Sequence, residues 1–311
     1  MSAIDRFSNM FRFVGVTAIL ATAGCSSSPT ADAPTTDNTT NAAVVGQPSV
    51  PSTVRGTQAS DSTGVSTIPD PLAVPTLEGR FPIGTEQREL ALTCWGDGEP
   101  VVLFDAGTGD AGISRWKASP VTRSLAAITQ VCTYDRAGLG DSDPAPQHPR
   151  VLDEVADDLH LLLVAAGIPR PVLMVGSSGG GFDVYHHAGR YPDDVAGLVL
   201  LDVPAGQAAI APSDVPGWDA FDNPEHMDYV AVEHQMAVER LAIPAIPVTV
   251  VTANHGQSAD PDEQKVWLQG SSRPVQVILD GEHNIYDDDP DGVLKQIVAV
   301  LDAIALGQQD G

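Results

Sequence analysis

The chain has 311 residues, 42% of them hydrophobic and 18% charged, which excludes a chain that is disordered throughout. Its 16 Lys and Arg against 41 Asp and Glu give a formal net charge of -25, and such a surface repels phosphate backbones, so no nucleic-acid partner is expected. Its 3 cysteines are too few for a small disulfide scaffold.

The N-terminus reads as an export signal. Basic residues precede an apolar run at 13–23, which is too short for an ordinary transmembrane helix. Small residues follow, then Cys25 and an abruptly polar sequence, a pattern that resembles a bacterial lipoprotein signal. The resemblance implies that residues 1–24 are removed and that a lipid on Cys25 anchors the protein to the outer face of the cell membrane. An Ala-x-Ala sequence at 21–23 also fits ordinary cleavage, which would release a secreted protein.

Residues 25–75 are rich in Ser, Thr, Pro, Ala, Asn and Asp, with few large apolar side chains. Such a segment buries too little surface to offset the entropy lost on ordering. We therefore expect a disordered tether between the signal and the rest of the chain.

Residues 76–307 predict one α/β domain. The apolar runs of strand length are Glu89–Trp95, Val101–Asp105, Gln130–Asp135, Pro171–Gly176, Gly197–Asp202, Pro247–Ala253 and Pro274–Asp280. Helical patterns lie between them, near Arg115–Ile128, Leu152–Ala166, Phe182–Tyr191, Pro261–Gly270 and Gly292–Leu306. This alternation predicts a doubly wound, mostly parallel sheet with helices on both faces. Residues 204–244 carry little strand signal and are interpreted as a short cap insertion.

A possible nucleophile follows the fourth predicted strand. The sequence at 176–180 is Gly-Ser-Ser-Gly-Gly, which is G-x-S-x-G between a buried strand and a helix. Small residues at Gly176 and Gly180 let strand and helix pass closely, and Ser178 sits on the strained turn between them. The competing interpretation is a glycine-rich turn without chemistry. A phosphate-binding loop is disfavoured because no Lys follows.

A serine hydroxyl needs a base to take its proton. His283 is the best placed of the 8 histidines, because it follows the last strand and so lies at the carboxyl edge of the sheet, as Ser178 does. The acid that would orient His283 has two candidates. Asp202 ends the strand after the nucleophile strand, whereas Asp260 follows the next one and also fits the cap of a helix. We favour Asp202.

These residues resemble the α/β-hydrolase superfamily, serine hydrolase and esterase type, over nearly the whole chain after the tether. The sequence Tyr-Asp-Arg-Ala-Gly-Leu-Gly-Asp-Ser at 134–142 looks like the loop after the fourth strand of that fold, with Gly-x-Ser-x-Gly at a familiar distance. The resemblance implies an eight-stranded sheet, and it implies that Asp135 and Arg136 brace loops near the site. It also implies an oxyanion hole formed by the backbone N–H groups of Thr108 and Gly179.

The same resemblance implies a disulfide. In that fold the second strand runs antiparallel beside the fourth, which brings Cys94 close to Cys132, and export favours oxidation. The alternative is two buried free thiols.

No cofactor and no metal site are predicted. A G-x-G-x-x-G sequence at 107–112 lacks the acidic residue of a dinucleotide site. An acidic run at 287–292 resembles the opening of a calcium loop, but Val298 stands where a bidentate Glu is needed.

The function expected from Ser178, Asp202 and His283 is cleavage of carboxylic esters, with a small-molecule or lipid ester as substrate. An aminopeptidase-like or acyltransferase activity on the same residues is the nearest alternative, since the insertion carries acids (Asp214, Asp219, Asp222, Glu225) that could hold an amine. A non-catalytic envelope lipoprotein is the alternative of another class.

Overall fold

The computed structural model describes residues 70–85, 87–211, 219–256 and 260–307. The predicted signal peptide, Cys25 and the tether up to residue 69 lie outside the described residues, as does Asp214 in the insertion.

One sheet of eight strands runs through the described part of the chain. The strands are β1 (Leu77–Ile83), β2 (Arg88–Trp95), β3 (Val102–Asp105), β4 (Val131–Tyr134), β5 (Val172–Ser177), β6 (Val195–Leu201), β7 (Pro247–Ala253) and β8 (Arg273–Leu279). Their order in the sheet is β1-β2-β4-β3-β5-β6-β7-β8. β2 is antiparallel to both of its neighbours, and the pairs from β4 to β8 are parallel. The predicted mostly parallel, eight-stranded α/β sheet is confirmed.

The helices alternate with these strands. They are α1 (Gly112–Lys117), α2 (Pro120–Ala126), α3 (Leu152–Ala165), α4 (Gly179–Arg190), α5 (Tyr229–Val238), α6 (Pro261–Gln264), α7 (Ile285–Asp288) and α8 (Pro290–Gly307), with 3-10 turns at Pro192–Asp194, Ala220–Asp222 and Lys265–Leu268. Across the described ranges, no helix combines the length and apolar character needed to cross a membrane.

Several elements differ from the sequence prediction. The helix predicted near Pro261–Gly270 is the short helix α6 followed by a 3-10 turn, and α7 was not predicted. β1 was not among the predicted strands, because its residues alternate between half-buried and exposed and include Pro82, which is tolerated at a sheet edge. The single helix predicted near Arg115–Ile128 is two helices. Ser119 caps the second, its side chain accepting from the Val121 N–H at 3.2 Å, and Pro120 occupies the first turn, where its missing N–H costs nothing.

Hydrophobic side chains cover both faces of the sheet. Alternate residues of β3 point to opposite faces, so Leu103 joins one core cluster while Phe104 joins the other. Buried side chains of α3 and α4 complete the first cluster, and those of α1, α2 and α8 complete the second. Because helices cover both faces of the sheet, a substrate can reach it only at the ends of the strands. In open α/β sheets ligands bind at the carboxyl ends, so we expect the site there.

The structure joins Cys94 and Cys132 by a disulfide, as the resemblance implied. The two cysteines face each other in the antiparallel pair of β2 and β4, with an S–S distance of 2.05 Å and a Cα–Cα distance of 4.0 Å. This Cα–Cα distance is shorter than the usual range. Because Cys132 is the second residue of β4, the bridge lies toward the amino ends of the parallel strands, away from Ser178.

Candidate active site

Ser178 sits on a strained turn between β5 and α4. Its backbone has φ 51° and ψ -124°, a region that residues other than glycine rarely occupy and that costs about 1–3 kcal/mol. β5 and α4 pass close to each other at this turn, and the passage requires glycine two residues before and two residues after Ser178. A Cβ on Gly176 would lie 2.5 Å from the Gly180 carbonyl oxygen, and a Cβ on Gly180 would lie 2.3 Å from that of Ala106. The predicted strand-turn-helix setting of G-x-S-x-G is therefore present.

Asp202 and His283 are in direct contact. His283 Nδ1 and Asp202 Oδ2 are 2.7 Å apart, so the ring donates its Nδ1 proton to the carboxylate. The carboxylate is 1% exposed, whereas the histidine side chain is 28% exposed. The Ser178 N–H donates to the carbonyl oxygen of Leu201 at 3.0 Å, which holds the serine beside the strand that ends at Asp202. The three predicted residues thus share the carboxyl edge of the sheet.

Two donors hold the other oxygen of Asp202. Oδ1 accepts from the Ala253 N–H at 3.3 Å and from Gln264 Nε2 at 3.1 Å. Gln264 is itself fully buried and accepts from the Thr252 hydroxyl at 2.5 Å. The backbone of Gly256 also closes on the acid, since a Cβ there would lie 2.4 Å from Asp202 Oδ2. Neither Gln264 nor Gly256 was predicted from the sequence, because both are ordinary residues outside any motif.

Asp260, the rival acid, has another task. It is exposed and caps α6, accepting from the Asp262 N–H at 2.8 Å. The cap begins the short helix that carries Gln264, and Gln264 donates to Asp202. Asp260 therefore affects the acid that contacts His283 only through Gln264.

The other helical and insertion histidines have partners of their own. His160 and His187 both contact Asp194, at 2.7 and 3.2 Å, before β6. His186 contacts Asp153 at 2.6 Å, and His226 contacts the Pro146 carbonyl at 2.7 Å. None of these four contacts Asp202, whereas His283, after the last strand, does.

The expected oxyanion donors lie next to each other. A Cβ on Gly179 would lie 3.3 Å from the Thr108 nitrogen, so the two peptide groups are neighbours. Gly179 is the first residue of α4, where a backbone N–H has no partner within the helix. Among the described residues, no carbonyl accepts from the Thr108 N–H. Both donors are thus available to a bound oxygen.

Arg136 holds the loop that contains Thr108. The buried guanidinium donates to the carbonyl oxygens of Ala106 at 2.7 Å and Gly107 at 2.9 Å, and it pairs with Asp105 at 2.6 Å. Burial raises the pKa of Asp105, while Arg136 and the Tyr134 hydroxyl, which donates to it at 2.8 Å, oppose the rise. Arg136 thus braces a loop near the site, as the resemblance implied, through these hydrogen bonds and this ion pair.

The same arginine connects the loop to the insertion. Glu225 pairs with Arg136 at 2.9 Å, and Asp183 on α4 lies 3.5 Å from it. Burial, together with the nearby charge of Asp105, raises the pKa of Asp183 well above its ordinary value. Asp135 braces the next turn, accepting from the Ile113 and Asp141 N–H groups, each at 2.9 Å.

Comparisons with known proteins agree with this architecture. A family model described as alpha/beta hydrolase fold matches residues 99–236. The probable transporter efuK of Hormonema carpetanum is 37% identical over 108 residues, which cover 34% of this chain and 15% of that protein. The uncharacterized protein YqjL of Bacillus subtilis (strain 168) is 33% identical over 108 residues, covering 35% of this chain and 41% of that protein. The chain thus spans less than half the length of these relatives.

A thermophilic esterase from Thermogutta terrifontis is similar in structure, with a TM-score of 0.55 and 21% identity over 73% of this chain and 99% of the esterase. At this identity the likeness concerns the fold alone. Together with the strand order described above, these matches show that the chain has the α/β-hydrolase fold.

Proposed function

We propose that the chain is a serine hydrolase that cleaves carboxylic esters through an acyl-enzyme on Ser178. The observation that carries the proposal is the 2.7 Å contact between His283 and a buried Asp202, at the sheet edge where Ser178 occupies a strained turn. A carboxylate that binds Nδ1 leaves Nε2 as the ring nitrogen that accepts a proton, which is the tautomer a general base needs.

The reaction follows from these positions. The Ser178 oxygen attacks the ester carbonyl while His283 takes its proton, and the N–H groups of Thr108 and Gly179 hold the developing oxyanion. His283 then gives the proton to the departing alkoxide, so an alcohol leaves and an acyl-Ser178 ester remains. Water, deprotonated by His283, attacks that ester, and the carboxylic acid product leaves as the serine is restored.

Of the four acids named for the aminopeptidase alternative, the three that the structure describes do not favour it. Glu225 is buried and paired with Arg136, and is therefore not free to hold a substrate amine. Asp219 accepts from the Phe221 N–H at 3.1 Å, and Asp222 is exposed. The substrate proposed is a small-molecule or lipid ester. A lipid on Cys25 would hold the protein at the outer face of the cell membrane, where it would meet this substrate.

A fluorophosphonate probe tests the nucleophile. We expect labelling of the wild type and none of Ser178→Ala, with ester hydrolysis lowered by several orders of magnitude in Ser178→Ala and His283→Ala. Ser177→Ala removes the neighbouring hydroxyl and is the matched control, which should still be labelled. Labelling of folded Ser178→Ala, or none of folded wild type, would show that Ser178 is not the nucleophile.

A further inference from the structure

Asp110 closes a tight turn beside the nucleophile. Its N–H donates to the Gly107 carbonyl oxygen at 3.1 Å, and Gly109 between them has φ 77°. This conformation suits a turn that needs glycine at its third position. The turn folds Asp110 back toward Gly107, in the loop that also carries Thr108.

The Asp110 carboxylate faces the same side of the loop as Ser178. A Cβ on Gly107 would lie 3.6 Å from Asp110 Oδ2 and 3.6 Å from the Ser178 Cβ. The carboxylate oxygen and the serine Cβ are therefore no more than twice that distance apart. A substrate bound to Ser178 comes within reach of this oxygen.

This carboxylate lacks a partner in the described part of the chain. Asp110 is partly buried, and no hydrogen bond or ion pair with another described residue reaches its carboxylate oxygens. The nearby cations are bound elsewhere. Arg115 donates to the Tyr286 hydroxyl at 2.9 Å and to Asp287 at 2.5 Å, and Arg136 is occupied by its own carboxylates.

An unpaired carboxylate at this point has two physical effects. It repels the negative charge that develops on the substrate oxygen in the transition state, and it attracts a positive charge carried by the substrate. A substrate ammonium would form an ion pair with the carboxylate and, by neutralising its charge, would also remove the repulsion of the substrate oxygen. A neutral substrate does neither, and an anionic one adds to the repulsion.

We propose that Asp110 makes the active site selective for esters that carry an ammonium or other cationic group close to the scissile carbonyl. This selectivity presupposes the ester hydrolysis proposed for Ser178. Asp110 acts on which substrates bind and react, while Ser178, Asp202 and His283 carry out the chemistry.

The selectivity depends on pH in a defined direction. Burial raises the pKa of Asp110; the charges of Arg115 and Arg136 oppose the rise, and those of Glu225 and Asp287 add to it. Only the ionised carboxylate attracts a cation. The preference for cationic substrates therefore grows as the pH rises through the pKa of Asp110 and disappears below it.

A pair of fluorophosphonates of equal shape tests the proposal. One carries a trimethylammonium group on a short alkyl chain, and the other carries a tert-butyl group in its place. The measurement is the ratio of their second-order rates of reaction with Ser178 in the wild type, in Asp110→Asn and in Asp302→Asn. Asp302 is exposed on α8, so its substitution makes the same change in net charge away from the turn.

We expect the wild type to favour the cationic probe about tenfold or more, Asp110→Asn to lose most of that preference, and Asp302→Asn to keep it. In the wild type the ratio should fall toward one at low pH, and in Asp110→Asn it should not change. Asp110→Asn supplies the reference curve, because any pH effect on the ratio that does not come from Asp110 is the same in both proteins.

A ratio near one in the wild type, or an unchanged ratio in Asp110→Asn, would overturn the selectivity while labelling by the neutral probe still upheld the nucleophile. Failure of both probes to label folded protein would refute the proposed function itself, and the selectivity with it.

Discussion

Replacing Asp202 by Asn should move the proton of the neutral His283 ring from Nδ1 to Nε2. The Asp202 oxygen that accepts from the Ala253 N–H and from Gln264 Nε2 has two donors facing it, so an Asn side chain must place its carbonyl oxygen there. Its NH₂ group then faces His283 Nδ1 in place of an acceptor. The imidazole is forced into the tautomer with a proton on Nε2, which cannot take the serine proton.

In a triad of this type the same substitution lowers kcat by about 10⁴-fold, or about 5.5 kcal/mol of transition-state stabilisation. The buried environment of Asp202 gives the full effect, since water cannot replace the lost acceptor. The assay is kcat for a chromogenic ester, with the rate of fluorophosphonate labelling as a second readout and circular dichroism as the check on folding.

Asp260→Asn is the matched control, because Asn caps a helix as well as Asp does and both activity and stability should be retained. If folded Asp202→Asn keeps kcat within tenfold of the wild type, or if Asp260→Asn loses more than Asp202→Asn, Asp202 is not the acid that orients His283.

Three further predictions concern other parts of the chain. Gly256→Ala places a Cβ 2.4 Å from Asp202 Oδ2, so kcat should fall at least tenfold in folded protein; full activity would mean that the acid can move freely. Burial raises the pKa of Glu233 from 4.5 to about 7, so its stabilising, protonated form is lost as the pH rises through 7. The difference of about 2.5 between the two pKa values predicts that wild type loses about 3 kcal/mol of unfolding free energy relative to Glu233→Gln between pH 4.5 and 8, measured by urea denaturation, and parallel pH curves would contradict it. Cys25→Ser should move the exported protein from the detergent phase to the aqueous phase, whereas wild type already in the aqueous phase would indicate ordinary signal cleavage.

The strand-turn-helix unit around Ser178 could be predicted from sequence because its requirements are local. A buried strand needs a continuous apolar run, and the close passage at the turn needs glycine at 176 and 180. The position of His283 after the last strand was likewise predictable, since the parallel strands of one sheet present their carboxyl ends at one edge. β1 was not predicted, because an edge strand with one exposed face lacks the continuous apolar run that marks a buried strand.

The sequence by itself therefore determined the order of the elements and the residue types available at the carboxyl edge of the sheet. Only the tertiary structure decided which of them meet. His283 contacts an aspartate 81 residues away, Arg136 binds a glutamate 89 residues away, and the Asp110 carboxylate faces Ser178 across a turn. Periodicity and motif spacing report what a residue needs from its near neighbours in the chain. Contacts across such separations are fixed by how strands and loops pack, and no local pattern carries that information.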